Sequence, residues 1–184
     1  EWVAADAVVL AIPAGPAGRL LGVDLPGVAA ELASIDYASV AVITLAYPRA
    51  AMPALPGSGF LVPPIERRAA KGVTFSSAKW GWVAAADPGT VLVRVSIGRY
   101  GEEQDLQRDD ADLARLAAAE LAALVGVRAT PIDTLVSRWG GALPQYRVGH
   151  RQRVARIKSG VTRHRGLAVC GAAYDGVGVA ACIG

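Results

Sequence analysis

The chain has 184 residues, which suits one domain or two small ones and is long enough to bury a sizeable core. Hydrophobic residues make up 53% of the chain and the mean hydropathy is +0.35. Asp, Arg, Pro or Gly nevertheless interrupts every apolar run before about eighteen residues, which argues against a transmembrane segment. The net charge of +3 is mild and few aromatic residues lie among the basic ones, which argues against a nucleic-acid-binding protein.

In chain order, apolar periodicity and turn residues predict a succession of strands and helices. The first strand is the apolar run from Asp6 to Ile12, which Pro13 closes. Its unbroken apolar character is typical of a strand covered on both faces of a sheet. The elements expected next are helices over 17–21 and 26–32, a long strand over 37–47, a loop over 52–59, and strands over 60–62, 72–76 and 91–97.

The second half begins with a helix whose ends are marked by their residue types. Asp109 and Asp110 supply an acidic start, and the helix is expected to run to Val125 and stop at Gly126. The elements expected after it are a strand over 132–139, a basic amphipathic helix over 147–159 ended by Gly160, and a strand over 167–170. A buried strand near each end with a mixed sheet between them predicts an α+β (mixed α/β) fold that is part of a larger protein.

The closing segment carries the clearest binding signal. After the last strand comes a turn rich in glycine, with Gly171, Gly176 and Gly178, and a helix is expected to open at Val177. Glycines let a ligand approach the backbone, and the first N–H groups of a helix attract anions. Residues 176–181 fit the form G-x-G-x-x-A, although no acidic residue follows about twenty positions on. The alternative is a turn that only packs the helix on the strand.

The cysteines and histidines predict neither a metal site nor disulfides. Cys170 and Cys182 are expected to be small buried hydrophobic residues, and with His150 and His164 they show no metal-ligand spacing. Because the chain opens without a secretory signal, a reduced, cytoplasmic compartment is expected, with peripheral membrane contact left open.

Several segments together carry a family likeness. In order they are Ala11–Ala14, Gly57–Pro63, Trp80, Leu92–Gly98, Trp139, Ala142–Tyr146, Gly149-His150 and Gly171–Val179. Over nearly the whole chain they resemble the C-terminal half of the flavin-dependent protoporphyrinogen/coproporphyrinogen oxidases. The closing segment is shared with the wider amine-oxidase superfamily, whereas Leu-Pro-Gln-Tyr followed by Gly-His is more specific to the porphyrinogen enzymes.

The resemblance implies a larger flavoprotein in which a mixed-sheet substrate domain is flanked by returning segments of a Rossmann-like FAD domain. The segments it implies are a returning FAD-domain piece over 1–25, a substrate-binding domain over 26–158 and a C-terminal FAD-domain piece over 159–184. The remaining FAD domain would then be a required partner. This chain alone is expected to be inactive and to hold FAD weakly.

The implied activity is oxidation of protoporphyrinogen IX or coproporphyrinogen III to the porphyrin in bacterial haem biosynthesis. FAD would accept a hydride and dioxygen would reoxidise the flavin, an oxygen-reducing oxidation at CH–CH bonds. One alternative is another flavin amine oxidase or a carotenoid-desaturase-like enzyme. The other is a non-catalytic binding domain, favoured if the chain is complete.

The resemblance also implies which residues touch each ligand. The cofactor-binding residues are Gly171, Ala172, Gly176, Val177, Gly178, Val179 and Trp139. The substrate-binding residues are Gly59, Phe60, Leu61 and Ser96. No catalytic side chain is expected, because the cofactor performs the difficult step while the protein orients the substrate and excludes water.

Each of these assignments has a structural alternative. Trp139 could be a core tryptophan at a strand end, and 57–63 could be only the entry to a strand. Arg94 and Arg99 could pair with propionates, although solvated strand arginines are commoner. His150 is expected to be a structural histidine.

Overall fold

The computed structural model describes residues 2–183. Its strands are β1 (Val8–Leu10), β2 (Tyr37–Pro48), β3 (Gly59–Leu61), β4 (Ala70–Phe75), β5 (Thr90–Ile97), β6 (Asp133–Pro144) and β7 (Leu167–Val169). Its α-helices are α1 (Ala14–Leu21), α2 (Pro26–Ala33), α3 (Ser76–Lys79), α4 (Gly81–Ala86), α5 (Asp110–Val125), α6 (His150–Val161) and α7 (Val179–Ile183). The predicted α+β class is therefore confirmed.

The chain divides into two compact units. The terminal unit comprises Glu1–Tyr37 with Ala142–Gly184, and the central unit comprises Ala38–Gly141. The boundaries expected at 26 and 158 lie inside the terminal unit, because α2 and α6 pack on each other and on the terminal elements. The identification of the units with an FAD domain and a substrate domain stays a prediction.

The terminal unit contains a small parallel sheet that packs on helices through Leu10, Leu167 and Val169. The expectation that the first strand is covered on both faces is wrong, because Val8 and Val9 are 49% and 60% exposed. β1 pairs with β7 in the register Val8↔Leu167 to Leu10↔Val169. The core of the unit consists of small and branched side chains, among them Ala14, Ala17, Leu32, Val154 and Ile157. No helix in residues 2–183 is long and apolar enough to cross a membrane.

The central unit is an antiparallel sheet with strand order β3-β4-β5-β2-β6. One face of the sheet packs against α5 and forms the core, where Ile43, Val93 and Phe75 lie in one buried cluster with Leu113 and Leu121. Since side chains alternate along a strand, the residues between these face the other way. We call this second surface of the sheet the open face.

Two helix ends show where sequence signals hold and where they fail. Asp109 caps α5 by accepting a hydrogen bond from the Asp112 amide at 2.7 Å, and Gly126 ends the helix in a left-handed conformation, as predicted. The prediction that Gly160 ends the basic helix is wrong, because α6 continues through it to Val161. A Cβ at Gly160 would lie 2.3 Å from Val28 Cγ2, so this glycine allows α6 to pack closely on α2.

Other boundaries also differ from the predictions. The first strand is limited to β1, and α1 begins at Ala14 rather than at residue 17. The strand expected over 72–76 ends at Phe75, and Ser76 begins α3. This change of direction is stabilised by the next residue, since the Ser77 hydroxyl accepts a hydrogen bond from the Leu92 amide of β5 at 2.9 Å.

Candidate functional site

The glycine turn, residues 171–178, follows the carboxyl ends of the two parallel strands of the terminal unit. The Cys170 amide donates to the Leu10 carbonyl at 3.2 Å, which holds the start of the turn beside β1. Gly171 has a φ of +122°, a conformation that glycine adopts without strain. A Cβ at Gly171 or Gly178 would meet no atom within 4 Å, so the backbone is open to a ligand at both positions.

Ala173 and Tyr174 of this turn are buried, whereas the apolar side chains where the turn enters α7 are exposed. Val177 and Val179 have most of their surface in solvent, with Val179 78% exposed, although both are large hydrophobic residues. Gly176 is different, because a Cβ there would lie 2.9 Å from the Cβ of Ala181 in α7. Gly176 therefore packs the turn on the helix, as in the structural alternative, while Gly171 and Gly178 present open backbone and Val177 and Val179 present apolar surface.

The Leu-Pro-Gln-Tyr and Gly-His motifs support the glycine turn directly. The Tyr146 hydroxyl donates to the Ala172 carbonyl, and the Tyr146 ring stacks on His150 with ring centroids 4.1 Å apart. His150 is 7% exposed, and its Nε2–H donates to the Tyr174 carbonyl at 3.1 Å. His150 therefore has a structural role, as expected, because its hydrogen bond fixes the backbone of the turn.

Local contacts engage several of the charges and hydroxyls around the turn, although the buried Tyr174 hydroxyl has no hydrogen-bond partner in the described residues. Lys158 donates to Asp175 at 2.6 Å. The Tyr37 hydroxyl accepts a hydrogen bond from the Ala14 amide at 2.8 Å, at the start of α1. Burial, and to a lesser extent the nearby Tyr37, raises the pKa of Tyr174 to about 12, so this side chain stays neutral. The turn is therefore held by neutral groups and one ion pair.

Part of this turn is open enough for the predicted flavin contact. Open backbone at Gly171 and Gly178 would permit close approach, and exposed Val177 and Val179 would be covered by an aromatic ring system. The seven cofactor assignments stay predictions. Trp139 belongs to the central unit and is 57% exposed, so its alternative as a core tryptophan is wrong.

Strand register brings the predicted substrate residues onto the open face. Gly59 pairs with Thr74, and Thr74 pairs with Arg94. In the neighbouring row, Leu61 pairs with Gly72 and Gly72 pairs with Ser96. Because directly paired residues point to the same side, Gly59, Leu61 and Ser96 share one surface with Arg94. Their contact with a substrate stays a prediction.

Phe60 lies on the opposite side of β3. Its ring packs edge-on against Phe75 in the core, with centroids 5.9 Å apart. The period-two alternation of a strand requires this, because Phe60 lies between Gly59 and Leu61. A substrate on the open face would therefore meet Gly59 and Leu61 while Phe60 supports the strand from behind.

Gly59 is required by the backbone of the sheet. Its φ is +139°, and a Cβ there would lie 2.2 Å from the Val73 carbonyl oxygen. A side chain at this position would break the pairing of β3 with β4 before it could reach a ligand. Substitution of Gly59 consequently tests the fold and not the binding surface.

A cavity of about 480 Å³ opens beside these residues, within the central unit. Its sheet wall carries Thr44, Leu92 and Arg94, and its other wall is formed by α3 and α4 and the residues next to them. The lining residues of that second wall are Ser76, Trp80, Trp82, Val83, Ala86 and Asp87. Sequence reasoning named Trp80 only as part of the family likeness and missed Ser76 and Trp82, because their meeting with Arg94 depends on the path of α3 and α4.

Arg99 does not contribute to this surface. Its guanidinium donates to the backbone carbonyls of Arg68, Val62 and Ala70 at 2.8, 3.0 and 3.1 Å. These contacts tie the ends of β3, β4 and β5 together. Neither alternative for Arg99, a propionate partner or a solvated arginine, describes a side chain engaged in this way.

Curated relatives of the chain are porphyrinogen oxidases. It is 42% identical to coproporphyrinogen III oxidase of Mycobacterium tuberculosis over 98% of this chain and 38% of the relative. It is 33% identical to human protoporphyrinogen oxidase over 97% of this chain and 38% of the relative. The chain thus spans well under half the length of the relatives it matches.

Solved structures agree with this relationship. A crystal structure from Exiguobacterium sp. 255-15, of a protein assigned as a protoporphyrinogen oxidase, superposes with a TM-score of 0.81 at 29% identity, covering 97% of this chain and 39% of the other. Reduced UDP-galactopyranose mutase superposes with a TM-score of 0.66 at 13% identity, covering 93% of this chain and 37% of the other, a likeness of fold alone. A family model for flavin containing amine oxidoreductases matches residues 1–184, and the chain therefore belongs to that family of oxidoreductases.

Proposed function

We propose that the protein to which this chain belongs oxidises a porphyrinogen, coproporphyrinogen III or protoporphyrinogen IX, to the porphyrin, with FAD as resident cofactor and dioxygen as electron acceptor. The names of its relatives support the substrate class. The observation that carries the proposal is the open face, where small and apolar residues form a surface suited to a flat macrocycle.

The residues of the open face have distinct roles in this proposal. Gly59 and Gly72 keep the centre of the surface flat, since neither carries a side chain and Gly59 accepts none. Leu61 provides apolar contact at the edge strand, and Ser96 lies next to it across Gly72. The protein contributes binding, orientation and exclusion of water.

The cofactor's part is limited to its own chemistry. When bound, FAD supplies the acceptor for the electrons that leave the substrate, with dioxygen as the final acceptor. The residues that would hold it are Gly171, Ala172, Val177 and Gly178 of the glycine turn and Val179 at the start of α7. Tyr146 and His150 would act behind it by fixing the Ala172 and Tyr174 carbonyls. We further propose a cytoplasmic location with a contact at the membrane surface.

The test is oxidation of porphyrinogens by the complete, flavin-loaded protein. Coproporphyrinogen III and protoporphyrinogen IX are supplied separately in air, and the porphyrin product is followed by its fluorescence with an enzyme-free control for spontaneous oxidation. We expect an enzyme-dependent rise with at least one of them, together with consumption of dioxygen. A protein that retains its flavin and oxidises a primary amine but neither porphyrinogen would refute the proposal.

A further inference from the structure

We propose that the cavity beside the open face binds a carboxylate arm of the substrate, with the Arg94 guanidinium as its charge partner. The inference rests on the proposed function and adds a binding site to it. It starts from the chemistry of the cavity walls, which combine two indole rings with a small set of polar groups. Pockets of this composition bind apolar ligands and use the few polar groups to orient them.

Ser76 supplies the first independent observation. Its side chain is 3% exposed and lines the cavity, yet its hydroxyl has no hydrogen-bond partner in the described part of the chain. A buried hydroxyl without a partner is costly, and native structures rarely leave one unsatisfied. A ligand oxygen in the cavity would accept a hydrogen bond from this group.

Arg94 supplies the second observation. Over residues 2–183 the structure gives its guanidinium no hydrogen bond and no ion pair, although it lies on the cavity wall. Thr44, its directly paired neighbour on β2, places a hydroxyl beside it. A planar guanidinium with a hydroxyl next to it suits the two oxygens of a carboxylate.

The other charged groups of the cavity do not neutralise Arg94. Asp87 also lines it, but its carboxylate is engaged in its own turn, where it accepts a hydrogen bond from the Gly89 amide at 3.0 Å. The Thr90 side chain, and then the Gly89 amide, hold the pKa of Asp87 below its ordinary value. Lys79 lies over the Trp80 ring, with Nζ 4.7 Å from the ring centroid, and adds positive charge at the edge.

The position of the cavity suits an arm that extends from a macrocycle on the open face. Arg94 lies two residues from Ser96 on the same strand and side, about 7 Å away, and two strands from Gly59, about 10 Å away. A ring seated over Gly59 and Ser96 would bring a propionate to the cavity mouth. The indole and aliphatic walls would cover its methylene groups while Arg94, Thr44 and Ser76 bind its oxygens.

The experiment compares arginine variants of the complete, flavin-loaded protein with coproporphyrinogen III as substrate. Arg94→Met should raise KM roughly five- to twentyfold while kcat stays within about twofold. The expected rise is that of losing one charge-assisted hydrogen bond whose strength is reduced by solvent exposure. Arg94→Lys should recover part of the lost affinity, because lysine restores the positive charge but not the two parallel N–H donors of the guanidinium. Arg115→Met is the matched control, since it removes the same charge from α5 on the far side of the sheet and should leave KM unchanged.

Ser76→Ala distinguishes a binding role from a structural one, because KM and the melting temperature are measured on the same variant. Because the hydroxyl has no protein partner, its removal should leave the melting temperature unchanged or higher while KM rises. An unchanged KM in both Arg94→Met and Ser76→Ala, with normal turnover in the wild type, would overturn the carboxylate site and leave the proposed function standing. A wild type that oxidises no porphyrinogen would overturn both.

Discussion

Truncation of Leu61 separates a binding residue from a structural one. Leu61 is 85% exposed, so Leu61→Ala should change the free energy of unfolding by no more than about 0.5 kcal/mol. If a macrocycle covers the side chain, the variant loses the contacts of Cγ, Cδ1 and Cδ2. At about 0.8 kcal/mol for each buried carbon, full coverage would be worth about 2.4 kcal/mol. A flat ligand covers one side only, which leaves about 1.2 kcal/mol and an expected fall in kcat/KM of about eightfold.

The assay measures porphyrin formation, with flavin absorbance and urea unfolding as checks on cofactor content and stability. Ile65→Ala is the matched control, because Ile65 is also 85% exposed and follows Leu61 closely in the chain, in the short 3-10 helix Pro64–Glu66. We expect Ile65→Ala to retain wild-type kcat/KM. Equal kcat/KM in wild type and Leu61→Ala would show that residues 57–63 are only a strand entry and would remove the open face from the substrate site.

Three further predictions concern the glycine turn, the helix packing and one ion pair. Gly178→Val should lower flavin retention through gel filtration without changing the melting temperature, because the residue is not left-handed and nothing lies within 4 Å of the added Cβ; equal flavin content would contradict the role of the turn. Gly160→Ala should cost about 1–3 kcal/mol in urea unfolding, since its Cβ would lie 2.3 Å from Val28 Cγ2, and adding Val28→Ala should recover part of the loss. Strictly additive losses would rule out this contact as the cause. The Arg156 hydrogen bond lowers the pKa of Glu31 below its ordinary 4.5. The stabilisation of the folded state by this ion pair is therefore complete above pH 4.5 and is lost as the pH falls through the lowered pKa. Glu31→Gln should therefore show a flatter loss of stability in acid, and superimposable pH profiles for variant and wild type would count against the ion pair.

Local signals predicted the elements whose ends are set by neighbouring residues. Asp109 and Gly126 lie at opposite ends of α5, and each acts only on the turn next to it. The local sequence is therefore enough to place that helix. Gly160 is also a glycine, the residue type that often ends a helix, but it lies inside α6. It leaves space for Val28 of α2, which a Cβ at position 160 would contact too closely. Such a contact spans more than a hundred residues, and no local pattern records it.

The candidate site divides in the same way. The glycine turn was predicted because its residues are consecutive, and the contacts from Tyr146 and His150 explain why the two motifs occur together. The cavity around Arg94 was not predicted, because it depends on register between β2, β4 and β5 and on the turn that Ser77 makes after β4. A single-strand pattern shows that Arg94 and Ser96 share a side but not what stands opposite them.

The backbone constraint at Gly59 limits how this surface can diversify. Because a Cβ there would collide with the Val73 carbonyl, mutation cannot add bulk at that point without breaking the sheet. Changes in the ligand preference of this part of the open face are therefore expected at neighbouring positions that already carry side chains, such as Leu61, Thr74 and Ser96. A library intended to change which ligand the open face binds should randomise those three positions and leave residue 59 unchanged.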